Sequence, residues 1–448
     1  VVTGAISSVK AADLESQPIT TVHQALQGRT SGVTIAANSG QPGSMATIRV
    51  RGFTTFGNND PLYVVDGVVV DAGGMNFLNQ SDIESIEVLK DAASQAIYGA
   101  RAAAGVILIT TKKGKSGKIQ VNYTGFYGTS AKARKLDLLN ATEYATLMNE
   151  SAAAAGNAIP FADPRSFGKG TDWQDAIFND DARRQNHELN ISGANERSSF
   201  YTSFGYVNQE GIVASPISNY NRINIRLNST HKIATWLTVG QNLGYSHEKS
   251  QAIGQTNTEF GGPLSSPINL DPITPLIETD PTLAAAYDQR AVRDPYNYLY
   301  GISPRVGQEL HNPLAWIETQ KGRNNWGDNI VGNVFAEVEP IKGLRLRSTL
   351  GTKLAFYGNE GFTPIYYLNP ISHTTQNNFN RATNQIFNWN IENTASYSKA
   401  FQKHDFTLLL GQGAYVDNNQ RGQNTTLFGL PIDSWKDASL NYSIPEDD

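Results

Sequence analysis

The stretch Gly343-Leu344-Arg345-Leu346-Arg347-Ser348-Thr349-Leu350-Gly351-Thr352-Lys353-Leu354-Ala355-Phe356-Tyr357 decides how this chain is read. Side chains alternate across an extended strand with a period of two. Leu344, Leu346, Leu350, Leu354 and Phe356 therefore share one face, and Arg345, Arg347, Thr349, Gly351 and Lys353 share the other. The same alternation returns at 219–230, where Ile223, Ile225 and Leu227 oppose Arg222, Asn224, Arg226 and Asn228. It returns again at 385–399, where Phe387, Trp389, Ile391, Ala395 and Tyr397 oppose Asn388, Asn390, Glu392, Thr394 and Ser396. About nine strand candidates follow one another: 118–128, 186–194, 197–208, 219–230, 235–248, 328–339, 343–357, 385–399 and 403–416. Most exceed the soluble average of about 5–6 residues. They fit the roughly 9–11 residues with which a tilted strand crosses a bilayer. Alternation alone suits a soluble sandwich equally well.

The links separate the two readings. Those at 195–196, 231–234, 340–342 and 400–402 are short. Those at 129–185, 249–327 and 358–384 are long, and 209–218 is intermediate. Every tight turn thus falls at one end of the sheet. An outer-membrane barrel is built this way, with short turns facing the periplasm and long loops facing outside. Tyr123, Trp236, Tyr245, Trp389, Tyr397 and Tyr415 stand near strand ends, where interface girdles form. Outer-membrane lipid is the partner this implies.

Composition agrees. The chain has 448 residues, 17% charged and 39% hydrophobic, with a net charge of −5. Typical globular chains carry about 25% charged residues. The acidic balance argues against nucleic acid as a partner. There is no cysteine, so disulfide frameworks and thiolate metal sites are excluded. No run approaches the roughly 18 apolar residues of a transmembrane helix.

Residues 1–115 read differently, as a compact α+β unit. A helix is expected over 11–28 and a second over 92–98, with strands at 48–51, 83–90 and 105–111. Leu62 to Val70 reads as a hairpin on the Asp66-Gly67 pair, a type I′ turn signal. Lys112 to Gly117 is a basic link whose reach is on the order of 20 Å. It is too short to carry the unit away from the first strand, so the unit is expected inside the barrel.

These N-terminal residues resemble the plug of the TonB-dependent outer-membrane transporters, specifically their SusC/RagA-like branch. The resemblance rests on Gln24 to Arg29, Ser31-Gly32-Val33, Ile48 to Gly52, Pro61 to Val68, Ile83 to Asp91 and Tyr98 to Lys112, in that order and spacing. Leu138 to Met148 and Tyr206 to Val213 resemble the start of that family's barrel. The resemblance implies a plug over 1–115 and an incomplete arc over 116–448 of a barrel with about 22 strands. It also implies import of oligosaccharides or oligopeptides with energy relayed by TonB, and a SusD-like surface lipoprotein over the barrel mouth. The TonB-contacting segment is expected upstream of Val1. The chain, ending at Pro445-Glu446-Asp447-Asp448, is expected to be part of a polypeptide about twice as long. The implied location is the Gram-negative outer membrane of a Bacteroidetes-type envelope. Siderophore or vitamin uptake is the alternative among transporters. A non-transporting surface adhesin or glycan-binding protein is the alternative outside them.

No enzyme motif competes. Gly114-Lys115-Ser116 lacks the Gly a P-loop needs, since Ile109 holds that position. The seven histidines show no i, i+4 pair, and no Gly-x-Ser-x-Gly elbow exists. No catalytic residue, cofactor or metal is expected. Loop aromatics are the binding candidates: Tyr296, Tyr298, Trp316 and Trp326, whose faces suit sugar rings or peptide side chains. Arg49, Arg51, Arg101, Lys112 and Lys113 of the plug have two readings, solvation in a water-filled lumen and pairing with lumen acids such as Glu337 and Glu392, and a mixture of the two is expected.

Overall fold

The computed structural model describes residues 6–10, 26–37, 39–53, 56–70, 78–91, 96–254, 262–287, 289–306, 310–401, 404–417 and 419–442. The helix expected over 11–28 and the terminal Pro445–Asp448 lie wholly or mostly outside them. So do residues 92–95 of the second expected helix. The described remainder, Ala96–Ala102, is a 3₁₀ segment interrupted at Gly99 rather than an α-helix.

Among the described residues, seven short strands build the N-terminal unit: β1 Ile6–Lys10, β2 Val33–Ala36, β3 Thr47–Val50, β4 Leu62–Val65, β5 Val68–Val70, β6 Ile83–Leu89 and β7 Val106–Thr111. Five form a sheet in the order β1-β6-β7-β4-β5, with β2 and β3 paired apart. Within that sheet β4 and β7 pair in parallel and the other described neighbours antiparallel. The β4–β5 hairpin turns on Asp66 and Gly67, with φ of 48° and 87°. Both values are positive, as a type I′ turn requires. Val9, Ile86, Val88, Ile107 and Ile109 fill the core.

The remaining strands are β8 Gly117–Ser130, β9 Ala182–Ala194, β10 Ser198–Glu210, β11 Asn219–Ala234, β12 Leu237–Gln251, β13 Arg323–Ile341, β14 Leu344–Thr363, β17 Asn378–Phe401, β18 His404–Val416 and β19 Gln420–Phe428. A small hairpin, β15 Tyr366–Tyr367 and β16 His373–Thr374, decorates one long loop. The large sheet is an antiparallel meander from β8 to β18. The final position is shared: β18 pairs with the lower half of β17, and β19 continues along its upper half. Among the described residues β8 and β18 do not pair, so the sheet is an open arc.

The strands outrun the sequence expectation. β17 has 24 residues and β14 has 20. Apolar alternation ends where the membrane would end, but backbone pairing continues above it through polar residues such as Asn378, Asn380 and Arg381.

The polarity of the arc is inverted relative to a soluble sheet. Its polar face is covered by the N-terminal unit, and its apolar face is uncovered. Arg222, Arg226 and Asn390 are buried against or beside that unit, whereas Ile223, Ile225, Leu346 and Leu350 point outward. From Leu346 to Phe356 the outward positions of β14 carry no charge, nor do those of β17 from Phe387 to Tyr397. Leu346 to Phe356 is ten residue steps, about 33 Å of strand. At a tilt of about 40° that covers roughly 25 Å, the height of a barrel's apolar band.

Leu350 is 48% exposed on this outward face. Replacing it with Arg should cost about 2–4 kcal/mol near mid-membrane. Ser396→Glu, on the lumen face opposite Arg345, should stay within about 0.5 kcal/mol. Urea midpoints for refolding into lipid vesicles measure both. Equal tolerance of the two charges would show that the faces are assigned wrongly.

Candidate functional site at the seam between plug and barrel

The seam is built around one guanidinium. Arg226 on β11 is 2% exposed. Its Nη1 lies 3.6 Å from Asp66 Oδ2 and its Nε 3.7 Å from Asp82 Oδ2. Both carboxylates belong to the N-terminal unit. Asp66 occupies the hairpin turn, where its Oδ1 accepts from the Thr111 amide at 3.0 Å and its Oδ2 from the Thr111 hydroxyl at 2.6 Å. Asp82 precedes β6 and is fully buried. Its Oδ1 accepts from Tyr201 Oη at 2.9 Å and from Ser203 Oγ at 2.5 Å, both on β10.

Further hydrogen bonds extend the contact. Arg222 Nη2 donates to Asn79 Oδ1 at 3.0 Å. Asn228 Nδ2 donates to Thr111 Oγ1 and to the Lys112 carbonyl, at 2.9 and 2.8 Å. Asn333 Nδ2 donates to the Asp66 carbonyl at 2.6 Å. Two wall glycines make room. A Cβ on Gly205 would lie 1.9 Å from Asn79 Nδ2, and one on Gly351 would lie 3.0 Å from Val68 Cγ2. Apolar packing contributes where Val331 of β13 joins the core of the N-terminal unit.

This reverses the expected charge arrangement. In the buried seam Asp66 and Asp82 belong to the plug and the cations Arg222 and Arg226 to the wall, which also buries one acid there, Glu188 of β9. Arg345 and Arg347 face the lumen but lie 3.8 Å from the wall acids Glu339 and Glu337. Arg49 pairs with Asp60 inside the plug. One expected plug cation does reach the wall: Arg101 pairs with Asp417, at the break between β18 and β19. Its guanidinium lies 4.8 Å over the Tyr415 ring, and Tyr415 Oη donates to Glu392 at 2.7 Å. Tyr415 thus faces the lumen rather than an outer girdle.

Beyond the seam, the long loops fold onto one another. Ile177, Ala214, Ile217, Ile253 and Ile317 come from three different connections between strands and form one cluster. Trp316, in the helix Pro313–Gln320, packs on that cluster and stacks on His311. Trp326 is not in a loop; it lies in the upper part of β13, opposite Gly358. Its even position, shared with Val334, places it on the outward face. Tyr300 is buried, and burial followed by the Glu318 charge pushes its phenol pKa up. Tyr296 and Tyr298 are 81% and 58% exposed. Asp294 Oδ1 accepts from both of their amides, at 2.9 and 2.8 Å, which fixes the turn that presents the rings. Among the described residues no group of His, Asp and Glu is arranged to hold a metal.

Removing one member of a buried pair costs about 3–5 kcal/mol, because it leaves the other charge uncompensated. Arg226→Ala should loosen the plug by that amount. Arg101→Ala breaks a half-exposed pair and should cost about 1 kcal/mol or less. Protease cleavage at the Lys112–Gly117 link, followed against urea, measures both. Equal sensitivity would contradict a seam centred on Arg226.

Residues 1–106 match the family model of the TonB-dependent Receptor Plug Domain. TonB-dependent receptor P26 of Formosa agariphila is 32% identical over 450 residues, which cover 99% of this chain and 42% of that protein. TonB-dependent receptor SusC of Bacteroides thetaiotaomicron is 31% identical, over 91% of this chain and 40% of that protein. The chain therefore spans about two fifths of the length of these relatives. Among solved structures, the RagAB peptide transporter superposes with a TM-score of 0.80 at 23% identity, covering 98% of this chain and 50% of that one. The ferric citrate transporter FecA superposes with a TM-score of 0.54 at 11% identity, covering 95% and 48%. A plug-domain sequence match, an inward-facing polar seam and an outward apolar arc coincide in one chain, which belongs, over the residues it spans, to the SusC/RagA-like TonB-dependent receptors.

Proposed function

We propose that this chain supplies the plug and adjoining barrel wall of an outer-membrane importer of oligosaccharides or oligopeptides. The carrying observation is the inverted arc, with a folded domain on its polar face and nothing on its apolar face. A soluble adhesin would bury that apolar face, so the arrangement favours a wall bounded by lipid. The implied setting is the outer membrane of a Bacteroidetes-type Gram-negative envelope.

A lumen that holds a folded domain must open for cargo to pass. The outer membrane has no ATP, so the work is relayed by TonB. The seam suits this cycle. It consists mostly of hydrogen bonds, each with a net contribution of about 0.5–1.5 kcal/mol because water replaces them when they part. The division falls at 115/116, within the short link that ties the plug to β8. A SusD-like lipoprotein over the long loops would hold large, dilute cargo. The fold neighbour RagAB is a peptide transporter, which supports peptide cargo, and the resemblance carried by the plug sequence keeps oligosaccharide cargo in view.

Tyr296 and Tyr298 are the first contacts proposed for cargo. Stacking on an aromatic face contributes about 0.5–1.5 kcal/mol. Tyr296→Ala and Tyr298→Ala should each weaken binding about 2- to 10-fold without changing thermal stability. Uptake of a dye-labelled oligopeptide and a dye-labelled oligosaccharide by cells with and without TonB tests the whole reading. Loss of uptake with binding retained is expected when TonB is absent. Uptake that ignores TonB, or a full-length protein that stays monodisperse without detergent, would overturn it.

A further inference from the structure

The lumen face of the wall carries a second polar cluster, at the long-loop end. A hollow of 350 Å³ lies there, lined by Arg323 and Asn325 of β13, Asn359 and Thr363 of β14, and Asn378 and Asn380 of β17. Parity fixes the direction of these side chains. Arg323 and Asn325 are odd like Val331, which packs on the plug, and Asn359 and Thr363 are odd like Gly351, which faces Val68. Asn378 and Asn380 are even like the buried Asn390. All six therefore project into the lumen. The three strands lie within the arc rather than at its edge, with β12 beside β13 and β19 beside the upper half of β17. No described residue of the plug lines the hollow, so it opens toward the mouth.

The hydrogen-bonding capacity of this cluster is unspent. Among the described residues, the side chains of Arg323, Asn325, Asn359 and Asn378 make no hydrogen bond or ion pair. By contrast Arg222, Arg226, Arg345 and Arg347, on the same face of the wall, all meet a partner. Glu360 also borders the hollow, but Arg381 Nη2 takes it at 2.8 Å, so the Arg323 charge stays uncompensated. The backbone beneath is tied down, since the Gly322 carbonyl accepts from the Phe362 amide at 3.2 Å. The Arg323 stem runs beside Gly361, where a Cβ would lie 3.4 Å from Arg323 Cγ. A guanidinium offers two parallel N–H groups to the two oxygens of a carboxylate. Each carboxamide beside it adds a donor and an acceptor. Small-molecule sites span roughly 300–1,000 Å³, so this hollow admits one end of an oligomer and not the whole.

We propose that this hollow is a subsite for a carboxylate carried by the cargo, an inference that rests on the transport reading above. Arg323 holds the carboxylate. Asn325, Asn359 and Asn378 bond the amide or hydroxyl groups of the adjoining unit. On an oligopeptide the group is the terminal carboxylate, and on an oligosaccharide it is a uronate. The subsite selects the charge at one end of the cargo, whichever backbone carries it.

Two matched pairs of dye-labelled probes test this on the full-length protein in detergent, by fluorescence anisotropy. One pair is a random-sequence pool of short peptides without Asp or Glu, with a free C-terminus or with a C-terminal amide. The other is an oligouronate and its methyl ester. In at least one pair the carboxylate form should bind wild type about 10- to 100-fold more tightly than its neutral form, the range of a charge-assisted hydrogen bond. The pair that shows the difference identifies the source of the carboxylate. Arg323→Ala should abolish the difference and leave the neutral form within about 2-fold. Arg323→Lys should recover only part of it, because an ammonium lacks the planar fork. Thermal stability should be unchanged in both variants, since Arg323 is exposed. Equal binding of charged and neutral forms by wild type, or an equal loss on both in Arg323→Ala, overturns the subsite and leaves the transport reading standing. Wild-type cells that take up none of the probes in a TonB-dependent way remove the transport reading, and this proposal with it.

Discussion

Everything in this structure depends on Arg226 being held, out of contact with water, between two carboxylates of another domain. A charge buried in a sheet facing lipid would be intolerable. It is tolerable here because the face that carries it is covered by the plug. The partners come from the plug's own conformational constraints. Asp66 sits in a left-handed turn that only a short polar residue enters readily. Asp82 sits at the mouth of β6, within reach of two hydroxyls of β10. The wall thus requires the plug to satisfy its polar face, and the plug requires the wall to neutralise its acids.

That mutual dependence has a mechanical meaning. A seam of apolar packing would resist separation through the whole buried area. A seam of ion pairs and hydrogen bonds offers water as a substitute partner at each step. It holds the plug firmly at rest and still lets segments of it leave in sequence. The two plug anchors differ accordingly. The Arg226 cluster is buried and strong, and the Arg101–Asp417 pair is half-exposed and weak.

The sequence showed the alternation of β11, β14 and β17, so both faces of the arc were legible from period alone. The Asp66-Gly67 turn was legible because few dipeptides enter that conformation. The lengths of the strands were not, since pairing continues above the membrane after the apolar face has ended. The partners of Arg226 were hidden because Asp66, Asp82 and Arg226 are brought together only by the tertiary fold. Two placements did carry a usable signal in parity. Tyr415 is odd where Leu408 and Leu410 are even, which puts it in the lumen. Trp326 shares the parity of Val334, which puts it outside. The distinction between Trp316 and the exposed pair Tyr296 and Tyr298 was not legible, because it depends on how separate loops pack.

The central claim is that the plug hairpin rests on the polar face of the arc, and one covalent link tests it. Val68 and Gly351 approach so closely that a Cβ on Gly351 lies 3.0 Å from Val68 Cγ2. In the cysteine-free full-length protein, Val68→Cys with Gly351→Cys should form a disulfide in the outer membrane under mild oxidation. It should join the plug to the barrel after cleavage of the Lys112–Gly117 link. Val68→Cys with Leu350→Cys, one residue away on the opposite face, should not. No link from the first pair, or an equal link from the second, would contradict the account.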